Sequence, residues 1–453
     1  MIRAETDVLV LGAGLAGLRA AQAAREAAPD ISVLSACLRP GPAGSSFANR
    51  NDALGIQVPL TDEERDAFVH EVLELADPGF VRPELVRIMA GEARERFREL
   101  WSASLDFRRR EGTLQRFAGC GSGCPRSFVF DGLRQAHAKL ENRVRLLGGM
   151  IDADLDIRGL TVEDGVCTGA WGLNGAGKPV AIRARSVVMA LGGSAPLYEH
   201  RVCGPANRGI SLALLHGAGC DIANAGYMQF LWHDRHGAYI NPAGLTKNGR
   251  TILHQGKEHQ PDFAPELLTT RYGHCPTFPF HEDAVIDRWL LERAEDDGFV
   301  RVRTHEGMVE AAPMAHAGNG GAIVDERGAT TVPNLFAAGE CATGMHGAQR
   351  IGGAMVLACL VFGRRAGIAA AQQARKSEMP QGLPSVQLPD QDRDEAAERA
   401  VREVMRRHLG PFPDKLRELL DTLDNVRASG GLLPRLMARS SQIMAKTYLT
   451  DPV

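Results

Sequence analysis

The sequence has little net charge. Its 52 Lys and Arg against 55 Asp and Glu leave a formal charge of −3, so neither nucleic acid nor an anionic membrane surface is an expected partner. No uninterrupted apolar run reads as long enough to span a bilayer. The opening residues, MIRAETDVLVLGAG, enter a strand almost at once and leave no room for a signal peptide. The nine cysteines are scattered and odd in number, as expected of reduced thiols rather than a disulfide framework, and a cytoplasmic location follows as the expectation. No HExxH and no ferredoxin-type cysteine run is present. His233 and His236 form an HxxH with no clear third ligand, so no metal is expected. Cys120 and Cys124 are spaced CxxxC, unlike a zinc or thioredoxin-like pair. They read as loop cysteines, with a redox-active pair as the alternative.

What the chain does have is glycine: 50 residues among only 6% aromatics. That balance points to many close backbone approaches, as around a large bound group. At 453 residues the chain is too long for one ordinary domain. Its organising stretch is Pro333–Ala366, PNLFAAGECATGMHGAQRIGGAMVLACLVFGRRA. A strand over Asn334–Ala338 turns at Gly339-Glu340, passes a Gly-rich loop, and becomes an apolar helix from about Gly353. That order aims helix N-terminal N–H groups at the loop, where an electron-rich carbonyl or anion would be held. His346 and Arg350 lie in the same loop.

At the other end, Asp7–Leu11 is a strand, Leu15–Ala28 an Ala-rich helix and Ile31–Leu34 a second strand. Gly12, Gly14 and Gly17 sit at the first junction as G-A-G-L-A-G, the βαβ setting of dinucleotide binding. Ser35 ends the second strand where a ribose-binding carboxylate is usual. The loop CLRPGPAGSSFANRNDALGI supplies small hydroxyls and N–H groups. Residues 62–107 read as helical, 144–173 as a β-meander, and 184–190 as a strand ending in Leu191-Gly192-Gly193. Residues 1–222 and 310–375 therefore form one discontinuous domain. Residues 223–309, rich in His, Pro and aromatics, form an insert covering a cleft, with one helix over Asp283–Asp296. A Pro-containing linker, 383–390, leads to charged amphipathic helices over 385–453, broken at Gly410-Pro411 and Gly430-Gly431.

Taken together, GAGLAGLRAA, the SSFA loop, VVMALGGSAPLY, GISLALLHGAGCDIANAGYMQF and GGAIVDERGATTVPNLFAAGECATGMHGAQRIGGAMVLACLVFG resemble the flavoprotein family of succinate dehydrogenase, fumarate reductase and L-aspartate oxidase. The resemblance implies an α/β fold: a Rossmann-like FAD-binding domain, an inserted α+β capping domain and a C-terminal helical region. It implies FAD at Gly12, Gly14, Gly17, Ser35, Ser45, Ser46, Gly55, Ala190, Gly192, Glu340, Arg350, Met355 and Val356. It places Arg350 and His316 on substrate carboxylates, with Glu340 on the flavin ribityl side. Ser45 or Ser46 stands where respiratory members carry the flavin-bonding His, so FAD is expected to be non-covalent.

Departures bear on the substrate. The family's Q-F-H-P-T reads Gln229-Phe230-Leu231-Trp232-His233, leaving His233 as a displaced substrate His. Gln349 replaces the Asn before the catalytic Arg, and Ala354-Met355-Val356-Leu357-Ala358 replaces N-S-L-L-[DE]. The proton-donor Arg is assigned to Arg288, with Arg271 and Arg293 open. The expected activity is hydride transfer between flavin N5 and a small carboxylate-bearing molecule, with Arg350, His316, Arg288, His233 and His346 as the catalytic set. The alternatives are a flavoprotein component of a larger reductase with an iron–sulfur partner, or a non-catalytic flavin-binding component.

Overall fold

A computed structural model describes residues 2–49, 51–247, 249–381 and 391–450. The linker 383–390 lies outside the described residues.

The first strand, Ile2–Leu11, is the centre of a seven-stranded sheet. It pairs in parallel with Val33–Ala36 on one side and Pro179–Met189 on the other. Met150–Asp152 extends one edge and Leu335–Ala337 pairs with Pro179–Met189, both in parallel. The meander Leu155–Glu163, Val166–Asn174, Pro179–Met189 completes it, with turns where the sequence places them. Val8 to Leu11 are all fully buried, because both faces of a parallel sheet are covered and alternation is lost.

Two helices that pack against each other, Leu15–Ala27 and Ala354–Ala374, cover one of those faces. The second has 21 residues and a window of mean hydropathy 1.6, enough to cross a bilayer by length and composition. Arg364 and Arg365 interrupt its apolar run. In the fold it is a core helix whose small residues let backbones meet. A Cβ at Gly363 would stand 2.7 Å from Ala16 O, and one at Gly367 2.1 Å from Ala20 O.

The stretch 53–131 holds a second sheet that the sequence hides in loops. Ala53–Gln57 pairs with Pro125–Asp131, which also takes Asp106–Phe107 and Phe117–Ala118. The helices between are Asp62–Ala76 and Pro83–Ser102.

The inserted segment forms a six-stranded sheet in the order Lys257–His259, Thr251–His254, Val300–Thr304, Gly307–Gly318, Met228–Asp234, Pro276–Thr277. Its own core is Trp232, Leu245, Ile252, Ile286, Leu290, Val300 and Val302. Helix Ala284–Leu291 is shorter than expected. The strands Met228–Asp234 and Gly307–Gly318 run from this cap back into the body.

Three helices follow: Glu395–His408, Leu416–Ser429 and Leu432–Thr450. They pack on the body rather than standing off it. Tyr198 Oη donates to Leu409 O at 2.9 Å, Ala213 N to Ser440 Oγ at 3.1 Å, and Arg158 pairs with Asp392 at 2.7 Å.

Candidate active site

The cap and the body enclose a cavity of about 720 Å3. Its walls include Gly12, Gly14, Ser45, Ser46, Gly55, Ala190, Gly192, Glu340, Arg350, Met355 and Val356, and on the cap side His233 and His316.

The glycines of the first turn divide by cause. Gly12 has φ +107°, and a Cβ there would lie 2.3 Å from Ala190 O. Gly17 lies outside the cavity wall, and its Cβ would lie 2.0 Å from Gly12 O, so helix–strand packing explains it. Gly14 faces the cavity, and the nearest protein atom to a Cβ there is Ser46 Oγ at 3.7 Å. No contact among the described residues requires glycine at that point, which leaves room for a group to lie against the backbone.

Opposite, helix Ala354–Ala374 points its N-terminus into the cavity from Gly353, φ +84°, with no side-chain cap. Ala354 N already donates to Ile351 O at 3.1 Å, so the N–H groups of Met355 and Val356, both at the wall, are the donors this end offers a ligand. Hydroxyls of Ser45 and Ser46, amides of Asn49 and Asn51, and the turn 37–39 complete a polar cradle suited to a dinucleotide.

Ser35 is not part of it. The side chain is fully buried, and among the described residues its hydroxyl has no hydrogen-bond partner. Strand Val33–Ala36 turns that position into the core, and Cys37, Leu38 and Arg39, beyond the strand end, reach the cavity instead.

Arg350 is 5% exposed. Its Nη1 donates to Asn319 Oδ1 at 2.7 Å and Gly318 O at 3.1 Å. Among the described residues Nε and Nη2 have no acceptor, so half the guanidinium fork is left for a ligand. Burial lowers its pKa, and the negative charge of Glu340 works against that shift. Burial raises the Glu340 carboxyl, opposed by Arg350 and by the amides of Gly318 and Gly193. Gln229 Nε2 donates to Arg350 O at 3.0 Å and fixes the backbone.

His316 owes its position to a register slip. Gln229 faces Ala317 and Phe230 faces Ala315, which leaves His316 as the extra residue of a β-bulge. A bulge re-aims a side chain, here into the cavity. Burial, then the positive charges of Arg350 and His233, push its pKa down to about 3, so it is neutral at ordinary pH. His233 lies on the facing strand, where alternation turns Gln229, Leu231 and His233 to the cavity and buries Trp232 in the cap. His233 Nδ1 is 3.0 Å from Leu231 O.

Two residues of the expected catalytic set are elsewhere. Arg288 is exposed on helix Ala284–Leu291, with its guanidinium 4.5 Å from the Phe412 ring centre. Of the two left open, Arg271 is buried within the cap against Asp287 at 2.7 Å, and Arg293 lies 4.0 Å from the Trp289 ring centre. No cap arginine among the described residues lines the cavity. His346 is 1% exposed but outside the cavity wall, and among the described residues neither ring nitrogen has a hydrogen-bond partner. Its backbone carbonyl accepts from Asn224 Nδ2 at 2.9 Å.

The wall also holds residues that the sequence had given no place in the site: Asp156, Asn207, Arg208, Tyr239, Cys120 and Cys275. The last two are disulfide-bonded, which corrects the reading of all cysteines as free and of Cys124 as the possible partner of Cys120. The pairing spans 155 residues, a distance that sequence spacing does not encode. In the cap, His274, His281 and Asp283 bring potential metal-ligand atoms within 4.8 Å of one another. There His274 Nε2 is already engaged with Asp283 Oδ2 at 2.6 Å.

Residues 7–246 and 292–356 match the FAD binding domain family, and the chain belongs to it. It is an FAD-dependent oxidoreductase of the fumarate reductase, succinate dehydrogenase and L-aspartate oxidase type. It is 31% identical over 407 residues to a subunit of the fumarate reductase (CoM/CoB) of Methanothermobacter marburgensis, covering 82% of this chain and 74% of that one. It is 28% identical over 437 residues to L-aspartate oxidase of Pseudomonas aeruginosa, covering 86% and 79%. In fold it is similar to the Sdh1 complex chain of Mycobacterium smegmatis (TM-score 0.80, 22% identity, 100% and 88% covered). The E. coli quinol fumarate reductase FrdA is also similar (TM-score 0.78, 18% identity, 98% and 89% covered).

Proposed function

We propose that the protein transfers a hydride and a proton between its FAD and a small molecule bearing a carboxylate. The observation that carries this is the half-free Arg350 fork, buried at the cavity wall. A desolvated guanidinium with open donors favours a planar carboxylate held by two hydrogen bonds. When bound, FAD supplies the hydride chemistry. The chain's residues do the rest. Asn319 and Gln229 hold Arg350 in place. Neutral His316 offers a ring N–H to a second substrate oxygen, and His233 takes or returns the proton. The cap keeps water from the transfer. Anaerobic titration of the holoenzyme with small mono- and dicarboxylates tests this. Perturbation of the flavin spectrum by at least one class is expected. Indifference to all of them would sink the reading.

A non-covalent FAD is part of the same proposal, since no histidine occurs between residues 42 and 52. Acid precipitation should leave the yellow colour in the supernatant, and colour in the pellet would contradict it.

A separate electron-transfer partner is a further element. The Methanothermobacter relative, named as one subunit of its enzyme, supports it. Size-exclusion of the native complex should show a mass above 48.8 kDa with a second, iron-containing chain. We place the protein in the cytoplasm on its seven free cysteines, and cell fractionation tests this.

A further inference from the structure

Cys120 and Cys275 are both at the cavity wall, and they belong to different bodies. Cys120 is fixed to the FAD-binding body: its carbonyl accepts from Gly352 N at 2.8 Å, in the loop that carries Arg350. A Cβ on neighbouring Gly119 would lie 2.5 Å from Gly352 O, so this loop is pressed onto the body. Cys275 is fixed to the cap. The preceding carbonyl, of His274, accepts from Arg271 Nη1 at 2.9 Å, and the following Pro276 pairs with Leu231 in the cap sheet. Arg271 in turn is locked to Asp287 in the cap interior.

The chain itself crosses between cap and body where the strands Met228–Asp234 and Gly307–Gly318 meet the body, side by side in one sheet. Two adjacent crossings leave a hinge. A third covalent link elsewhere on the rim removes it. Cytoplasmic disulfides in most organisms are transient and either catalytic or redox-sensing rather than structural.

We propose that the Cys120–Cys275 disulfide is a reversible redox modification site that locks the cap onto the body, and that its reduction by a dithiol frees the cap to open on the cavity. In the opening step a thiolate of the dithiol attacks one cysteine sulfur and the S–S bond breaks. The second thiol of the dithiol then attacks its partner sulfur in the mixed disulfide and expels the remaining cysteine as its thiolate. Both cysteines end as thiols, having gained two electrons and two protons, and the dithiol leaves as its own cyclic disulfide. In the locked state ligand entry waits on rare openings, so the rate of association falls with the open fraction.

The test uses the holoenzyme, oxidised or treated with dithiothreitol and desalted, beside Cys120→Ser/Cys275→Ser and Cys124→Ser. Alkylation and peptide mapping without reductant should find a Cys120–Cys275 cross-linked peptide in the oxidised sample only. Amide hydrogen exchange over residues 119–124 and 274–278 should speed up on reduction. The double variant should exchange fast in both states, and Cys124→Ser should respond like the parent. Malonate, followed by stopped-flow flavin absorbance, should associate roughly tenfold or more faster after reduction. Absence of the cross-linked peptide, equal exchange in the two states, or equal association rates would each overturn the clamp. Exchange that responds while malonate gives no spectral signal supports the clamp and counts instead against the carboxylate reading of the site.

Discussion

Asn319 grips the loop that presents Arg350 at two points, two residues apart. Its Oδ1 accepts from Arg350 Nη1 at 2.7 Å, and its Nδ2 donates to Ala348 O at 3.1 Å. One amide thus sets both the path of the loop and the direction of the guanidinium. Nη1 is spent on this support, which leaves Nε and Nη2 for a ligand. The division of labour within one side chain separates fold from chemistry in the variants below.

Arg350→Met should keep FAD and the fold but lose turnover. A desolvated charge-assisted pair is worth about 2–5 kcal/mol, or roughly 30- to several-thousand-fold in rate. Arg350→Lys should recover only part, because an ammonium cannot offer a planar fork. The rate of flavin reduction or reoxidation by the substrate is the measurement. A native rate in Arg350→Met would move the anchor elsewhere.

Gly14→Val should give colourless protein whose apo form melts as the parent's does, since its Cβ site is open within the protein. Added FAD should raise the melting temperature of the parent and not of the variant. Gly17→Ala should behave oppositely and destabilise even the apo chain, because its Cβ meets Gly12 O at 2.0 Å. Flavin content by absorbance, together with melting curves, distinguishes the two.

His346 links pH to stability. Burial, then the charge of Arg350, holds its folded pKa to about 3, whereas the unfolded chain takes up the proton near 6.5. Between those values the unfolded state binds more protons. Stability is therefore full above about pH 6.5 and falls as pH drops toward 3. His346→Leu should remove this term, flattening the slope of unfolding free energy by up to about 1.4 kcal/mol per pH unit. It should retain turnover, since the ring is outside the cavity wall. Urea midpoints from pH 7 to 5 provide the check, and an unchanged slope would refute the assignment.

Arg288→Ala should leave turnover within a factor of two or so, as an exposed cation–π contact contributes only about 0.5–1 kcal/mol to stability. A large loss in kcat with intact FAD would restore the sequence-based assignment of Arg288 as proton donor.

By itself the sequence determined the nucleotide-binding sheet and the helices beside it. Short-range signals did so: the Gly-spaced strand–helix junction, the meander turns, and the Gly-rich loop before an apolar helix. These are local constraints, written as residue type at fixed spacing, and they pointed to Gly12 and Gly14, whereas Arg350 and Glu340 received their roles through the family resemblance. His316 was reached through resemblance, but its aim depends on a bulge that arises only when Met228–Asp234 pairs with Gly307–Gly318. Tertiary structure alone decided the cap. Which face of Ala284–Leu291 is buried, and so where Arg288 points, depends on packing against Trp232, Ile252 and Val300. The strands Ala53–Gln57 and Pro125–Asp131 were lost among loops because each gains its hydrogen bonds from a partner some seventy residues distant. The Cys120–Cys275 link is the extreme case: two thiols 155 residues apart meet only because cap and body close on one cavity, a contact set by three-dimensional packing and by nothing local in either segment.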